Sequence, residues 1–377
     1  MKIKKLLFET ATKANAGDVS EGILGAACTA RFLYGSEKPI TQKEIWTVIE
    51  QLNKTTNKSS GSTVLKSKTF SKPPSVKPGQ PNSITLTVGL SENNYAGFID
   101  PIFFQSIDGI VRAAAAFASS PSFIRLVKNV EMSAKANKIE ISSVGLEDQK
   151  GTKVDLKIAI DGKVVPLGAL SLKAGGTKQV GQIGKGWAAS KPGASRGIVD
   201  LFRALFGVEI NKNLQKQYEQ ALSSANYVAI SQAIDEVYYD CFKQVSKKFD
   251  SGVNEISDFI IGLAKAIKYE AMLEEEGVIL VHLDAGNFKA LDFGKFVSLA
   301  NDEQVEMDVE IQYQPPASYE NSVPYLFVNL KVDGQDFGKL ISIRPKIRVE
   351  EGVKVKEFRH YVQKESGLAK LLSIDLD

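Results

Sequence analysis

The chain has 377 residues, of which 43% are hydrophobic and 24% charged, enough for one large core or two ordinary ones, so two or three modules are expected. A formal net charge of only +3 excludes a basic field spread over the whole molecule, and any nucleic-acid surface has to come from local clustering. The two cysteines, Cys28 and Cys241, lie singly in apolar helical patterns, which excludes a disulfide framework and a zinc knuckle. No stretch approaches the roughly 18 apolar residues of a membrane span and no signal peptide is read at the start, so a soluble protein of the reducing cytoplasm is expected.

In chain order, residues 19 to 34, "VSEGILGAACTARFLY", place Ile23, Leu24, Ala27 and Phe32 near one face of a helix that starts after a capping Ser20, with Glu21 in its first turn. "TQKE" at Thr41 to Glu44 is a Ser/Thr-x-x-Glu capping box ahead of Ile45, Trp46, Ile49 and Leu52. Residues 53 to 82 are rich in Ser, Thr, Lys and Pro and hold no acidic residue. That composition reads as a flexible solvated loop, or as a basic arm that follows a phosphate backbone. "SITLTVGL" then alternates like a strand, and residues 106 to 137 read as helical through "VRAAAAFA" and "FIRLVKNV".

"IEISSVGL" (139–146), "KVDLKIAI" (153–160) and "GALSLKAG" (168–175) read as strands, with Asp161-Gly162 as the hairpin turn between the last two. Residues 194 to 274 are mostly helical. From Gly277 the pattern turns to strands, and a last helix is expected through "VKEFRHYVQKESGLAKLLS".

The chemistry centres on the hairpin. Residues i and i+2 of a strand share a face, so Ser171 and Lys173 project together, and Asp155 on the antiparallel partner is able to face them. Hydrolysis of a phosphodiester needs carboxylates converging on a metal and a lysine to assist the attacking water. "KVDLKIAIDGKVVPLGALSLK" resembles the hairpin of the PD-(D/E)xK, or restriction-endonuclease-like, nuclease superfamily, with Asp155 matching the family's Asp and Lys173 its Lys. The resemblance covers about 30 to 50 residues. It implies an α/β protein with a restriction-endonuclease-like mixed-sheet core (83–210) to which the N-terminal helices (1–52) lend Glu21; the residue patterns add a helical segment (211–276) and a β-rich C-terminal part with a terminal helix (277–377).

It further implies a Mg²⁺- or Mn²⁺-dependent DNA endonuclease, with Asp155 and Glu21 on the metal, Lys173 on the water, and Ser171, Gln179 and Gln182 orienting the site. Cutting both strands of a duplex favours a homodimer, and a chain of this kind would suit a phage or mobile element. One residue departs from the family: Ser171 stands where Asp or Glu is usual, a neutral and weaker ligand for a hard cation. Glu21 is the favoured replacement, ahead of Glu140 and Asp200. The alternative is an inactive nucleic-acid-binding or assembly protein, and the bland reading is an amphipathic hairpin with ordinary exposed charges.

Further cations read as nucleic-acid contacts. Lys178, Lys185, Lys191 and Arg196 are set among glycines, and Arg344, Lys346 and Arg348 recur at every second position of a strand, with Arg359 and His360 expected on the helix behind. That strand reads equally as a charged edge that resists aggregation. The two histidines, His282 and His360, lack metal-ligand neighbours at useful spacing, Asp284 and Asp292 read as turn and strand-end residues, and no phosphate-binding loop order is present.

Overall fold

The computed structural model describes residues 14–35, 38–56, 58–60, 63–72, 81–100, 107–133, 138–143, 154–174, 178–189, 197–250, 259, 262–263, 279–284, 287–292, 306–350 and 354–372. The strands in chain order are β1 (Lys58–Ser60), β2 (Thr63–Ser71), β3 (Ser83–Ser91), β4 (Ile139–Ser143), β5 (Leu156–Ile160), β6 (Lys163–Ala174), β7 (Gln179–Ile183), β8 (Ile279–Asp284), β9 (Asn287–Asp292), β10 (Met307–Gln314), β11 (Tyr325–Val332), β12 (Gln335–Glu350) and β13 (Lys354–Lys364). Two compact units result. Met1–Thr177, Glu274–Gly294 and Ser373–Asp377 make the first, and Lys178–Leu273 with Lys295–Leu372 the second. Both are mixtures of helices and sheet, in keeping with the α/β expectation.

In the first unit, helix α1 (Ala16–Tyr34) begins at Asn15, whose side chain accepts the Gly17 amide at 3.0 Å. Ser20 is therefore not the cap; it is buried inside the helix and its hydroxyl bonds back to the Ala16 carbonyl. The expected helix after Thr41 is present as α2 (Gln42–Asn53), with the full capping box and Ile45, Val48, Ile49 and Leu52 buried. Helices α3 (Glu92–Ile99), α4 (Ile107–Ala118) and α5 (Pro121–Ser133) fill the crossover between β3 and β4. The sheet order is β1-β2-β3-β4-β5-β6-β8-β9. Within it β4, β5 and β6 form an antiparallel meander and β8 then joins β6 in parallel. The Asp161-Gly162 turn takes positive φ at both residues, as its hairpin requires.

Helix α1 lies close over this sheet because two of its residues lack side chains. A Cβ on Gly22 would sit 3.0 Å from the Phe98 ring, and one on Gly25 would sit 3.2 Å from Leu86 and 3.3 Å from Leu156. The last two belong to β3 and β5, so the small residues set how near the helix approaches these two strands.

The basic segment corrects its sequence reading. Residues 63 to 71 are strand β2, paired along its whole length with β3, and its lysines have structural partners. Lys66 is buried and donates to the Asn53 carbonyl at 2.9 Å and to the Thr55 carbonyl, closing the end of α2. Lys72 pairs with Glu131, and Lys68 lies over the Phe70 ring. Neither a loop nor a free basic arm describes residues 63 to 72; residues 73 to 80 lie outside the described residues.

The second unit holds helices α6 (Ile198–Phe206), α7 (Asn213–Ser224), α8 (Tyr227–Asp250) and α9 (Ser366–Leu372) and the antiparallel sheet β10-β11-β12-β13-β7. The expected C-terminal helix through "VKEFRHYV" is instead β13, paired with β12 from Lys354 to Lys364. Phe358, His360 and Val362 are buried while Arg359 is exposed, the two-residue period of a half-covered strand. Among the described residues no single helix is long and apolar enough to cross a membrane.

Candidate functional site

Asp155 stands just before β5 and is fixed by β6. Its amide donates to the Leu170 carbonyl at 2.9 Å, and its carboxylate accepts the Leu172 amide at 2.6 Å and the Ser171 hydroxyl at 3.1 Å. Ser171 is fully buried and acts on the carboxylate opposite, as a hydrogen-bond donor. Lys173 follows two positions later on β6, its backbone paired with His282 of β8.

A second carboxylate of the first unit, Asp18, was missed from the sequence. Asp18 lies in the first turn of α1 and accepts the Asn94 side-chain amide at 2.5 Å and that of Asn15 at 3.2 Å. Asn94 also accepts the Asn15 backbone amide at 2.7 Å, which ties the start of α1 to α3. Burial raises the Asp18 pKa, the bond from Asn94 opposes the rise, and the Asp155 charge adds to it. Placing the helix start at Ser20 left Asp18 outside the helix; its position three residues before Glu21, hence on the same face, was the available signal. Glu21 sits one turn further along α1, half-buried.

Among the described residues, no three His, Cys, Asp or Glu side chains converge as ligands for a metal. Glu140 is occupied elsewhere, in an ion pair with Lys138 at 3.2 Å. Asp200 belongs to the second unit, where it accepts the Ala189 and Gly197 amides at 2.6 and 3.0 Å. A groove of about 360 Å³ lined by Leu33, Tyr34, Val48 and Phe70 lies at the far end of α1 from Asp18.

The remaining candidates fall in the second unit. Gln179 and Gln182 are on β7 and bond to each other at 3.2 Å, and Lys178 pairs with Glu365 at 3.3 Å. Lys185 is exposed, and its carbonyl accepts the Tyr218 hydroxyl at 2.9 Å. The glycine-rich stretch around it is partly core, since Val180, Ile183 and Trp187 are buried. Lys191 and Arg196 lie outside the described residues.

Arg344, Lys346 and Arg348 are on β12, as the alternation predicts, but Arg359 and His360 are on β13. His360 is fully buried and both its ring nitrogens are taken: Nε2 lies 3.1 Å from the Tyr218 hydroxyl and Nδ1 3.0 Å from that of Tyr238. Asp284 and Asp292 stand at opposite ends of the β8–β9 hairpin, paired with Asn287 and Ile279.

Comparison of the chain with protein-family models, with curated proteins and with solved structures found no match in any of the three.

Proposed function

We propose that the first unit carries a divalent-metal site that hydrolyses phosphodiester bonds of DNA, built as in the restriction-endonuclease-like nucleases. The observation that carries this reading is the Asp155 carboxylate at the open end of the β5–β6 hairpin, oriented by the Leu172 amide and the Ser171 hydroxyl, with the Asp18 carboxylate in the first turn of α1 feeling its charge. Two carboxylates that repel each other, one of them fixed by a backbone amide and a hydroxyl, suit a hard cation with oxygen ligands. The order of elements supports it as well: a helix, an antiparallel three-stranded meander, and a fourth strand parallel to the third.

In this reading Asp18 and Asp155 hold Mg²⁺ or Mn²⁺, with Glu21 one turn beyond adding charge. The ion when bound supplies Lewis-acid neutralisation and a more acidic water. Ser171 and the Leu172 amide keep the Asp155 carboxylate in one orientation. Lys173 is assigned the ammonium that positions the water or meets the charge developing on the phosphate.

The test is cleavage of plasmid and branched DNA with Mg²⁺ or Mn²⁺ by the wild type beside Asp155→Ala, Lys173→Ala and Asp18→Asn. Loss of cutting in all three, with unchanged circular dichroism, supports the reading. A folded wild type that cuts none of these substrates and shows no Mn²⁺-dependent rise in melting temperature overturns it, and leaves a nucleic-acid-binding or assembly role.

A further inference from the structure

We propose that one face of the five-stranded sheet in the second unit binds a single nucleic-acid strand. The other face is core: Ile311, Leu326, Val328, Ile341, Ile343 and Val362 are buried there, and the α8 residue Asp235 accepts the Tyr313 hydroxyl from β10. The face in question carries the alternate residues, and its cations share an unusual support. Arg344 lies over the Tyr325 ring and donates to the Gln363 side chain at 2.9 Å and to the Tyr325 hydroxyl at 3.2 Å. Lys346 lies 5.2 Å from the centre of the Tyr361 ring, and Lys339 lies 3.5 Å from that of Phe327. Tyr325 and Phe327 stack on each other with an angle of 8° between planes.

These cations are held upright by rings and neutral acceptors, and among the described residues none of the three is paired with a carboxylate. Their positive charge is oriented without being neutralised. Lys346 also stands directly opposite Arg359 across the β12–β13 ladder. Like charges in that position destabilise a sheet. Glu357 is shared between Arg348 at 3.3 Å and Arg359 at 3.0 Å, which leaves this end of the face positive. An anionic partner relieves that repulsion.

Spacing identifies the partner. Arg344, Lys346 and Arg348 follow one another every second residue, about 6.7 Å apart along a strand, close to the step between neighbouring phosphates of an extended nucleic-acid strand. The row runs along one strand of a five-stranded sheet, and a single nucleic-acid strand is free to follow the twist of that surface, whereas a stiff duplex is not. The exposed amides of Gln182, Gln312 and Gln314 flank the row and suit base edges that only an unpaired strand offers. Because the rings lie beneath cations, binding rests on phosphates and is strongly salt-dependent.

The measurement is fluorescence anisotropy of a labelled oligothymidylate of about 20 nucleotides with the full chain, in chelator and on an Asp155→Ala background, which separates it from the metal-site reading. The double variant Arg344→Gln with Lys346→Gln is expected to bind at least tenfold more weakly at moderate salt. Its log-affinity against log-salt slope should fall by about 1.4, two single-strand phosphates. Lys346→Glu places a carboxylate opposite Arg359, so it should melt higher than the parent yet bind less, separating a binding role from a folding one. Lys247→Gln on α8 should change neither. Unchanged affinity in the double variant, tighter binding of a duplex of equal length, or no binding of the oligonucleotide at low salt each overturns the proposal.

Discussion

Tyr218 and His360 share a buried hydrogen bond whose direction is set by a third group. The Tyr218 hydroxyl donates to the Lys185 carbonyl, so it accepts from Nε2–H of His360, and Nδ1 in turn accepts from Tyr238. His360 is thus neutral, and burial lowers its pKa to about 3.

Stability should therefore fall with acid. An unfolded chain takes up the imidazole proton near pH 6.5, while the folded protein refuses it until about pH 3. The contribution is complete above the unfolded value and is lost as the pH drops, on the order of 1 kcal/mol per pH unit. Urea unfolding at pH 7, 6 and 5 reads it, and His360→Gln should flatten the slope between pH 6.5 and 5. An equally steep slope in the variant removes His360 as the cause.

Asp18→Asn should stabilise the protein at pH 7. The Asp18 pKa is raised, so the folded state pays for the ionised carboxylate above its ordinary range, and the amide removes the repulsion from Asp155. The carboxylate is only half-buried, so the gain is at most about 1 kcal/mol. Thermal unfolding with and without Mn²⁺ should show a higher melting point without metal and a smaller rise with it.

Lys66→Met keeps the apolar stem and removes the donor from the end of α2, leaving the Asn53 and Thr55 carbonyls short of a partner. A loss of about 1–3 kcal/mol is expected in chemical denaturation. Oligonucleotide binding should not change, since this lysine is buried; a weakened affinity at equal stability would restore the basic-arm reading.

Gly25→Val tests the closeness of α1 to the sheet. The added methyls meet Leu86 and Leu156, costing about 1–3 kcal/mol and moving the helix away from β5. As Asp18 rides on that helix, its pKa should return toward the ordinary carboxylate value. Carboxylate titration by NMR of labelled aspartate reads the effect; an undisturbed Asp18 would mean that its position is set by Asn94 alone.

Local chemistry was legible where neighbours in sequence decide the outcome. The Thr41–Glu44 capping box, the Asp161-Gly162 turn and the strand β3 follow from a few residues each. The misreadings share another origin. β2 is polar on one face because its Ser and Thr side chains pair with those of β3, Ser67 with Thr87 and Thr69 with Thr85, so a strand resembled a low-complexity loop. β13 reads like a helix until β12 supplies its ladder. For the candidate site, the hairpin that holds Asp155 was visible, but Asp18 depends on which residue caps α1, and that was decided by Asn94 far along the chain.

The order in which the units use the chain has a consequence for biosynthesis. The first unit's sheet is completed by β8 and β9, which are made only after β7 and helices α6 to α8 of the second unit. During translation β6 therefore waits with one edge unsatisfied while an entire helical insert emerges, a period in which that edge is open to pairing with other nascent chains. A pause or truncation between residues 250 and 279 should thus leave a chain that aggregates through the strand bearing Ser171 and Lys173, which gains its parallel neighbour β8 only once that insert has been made.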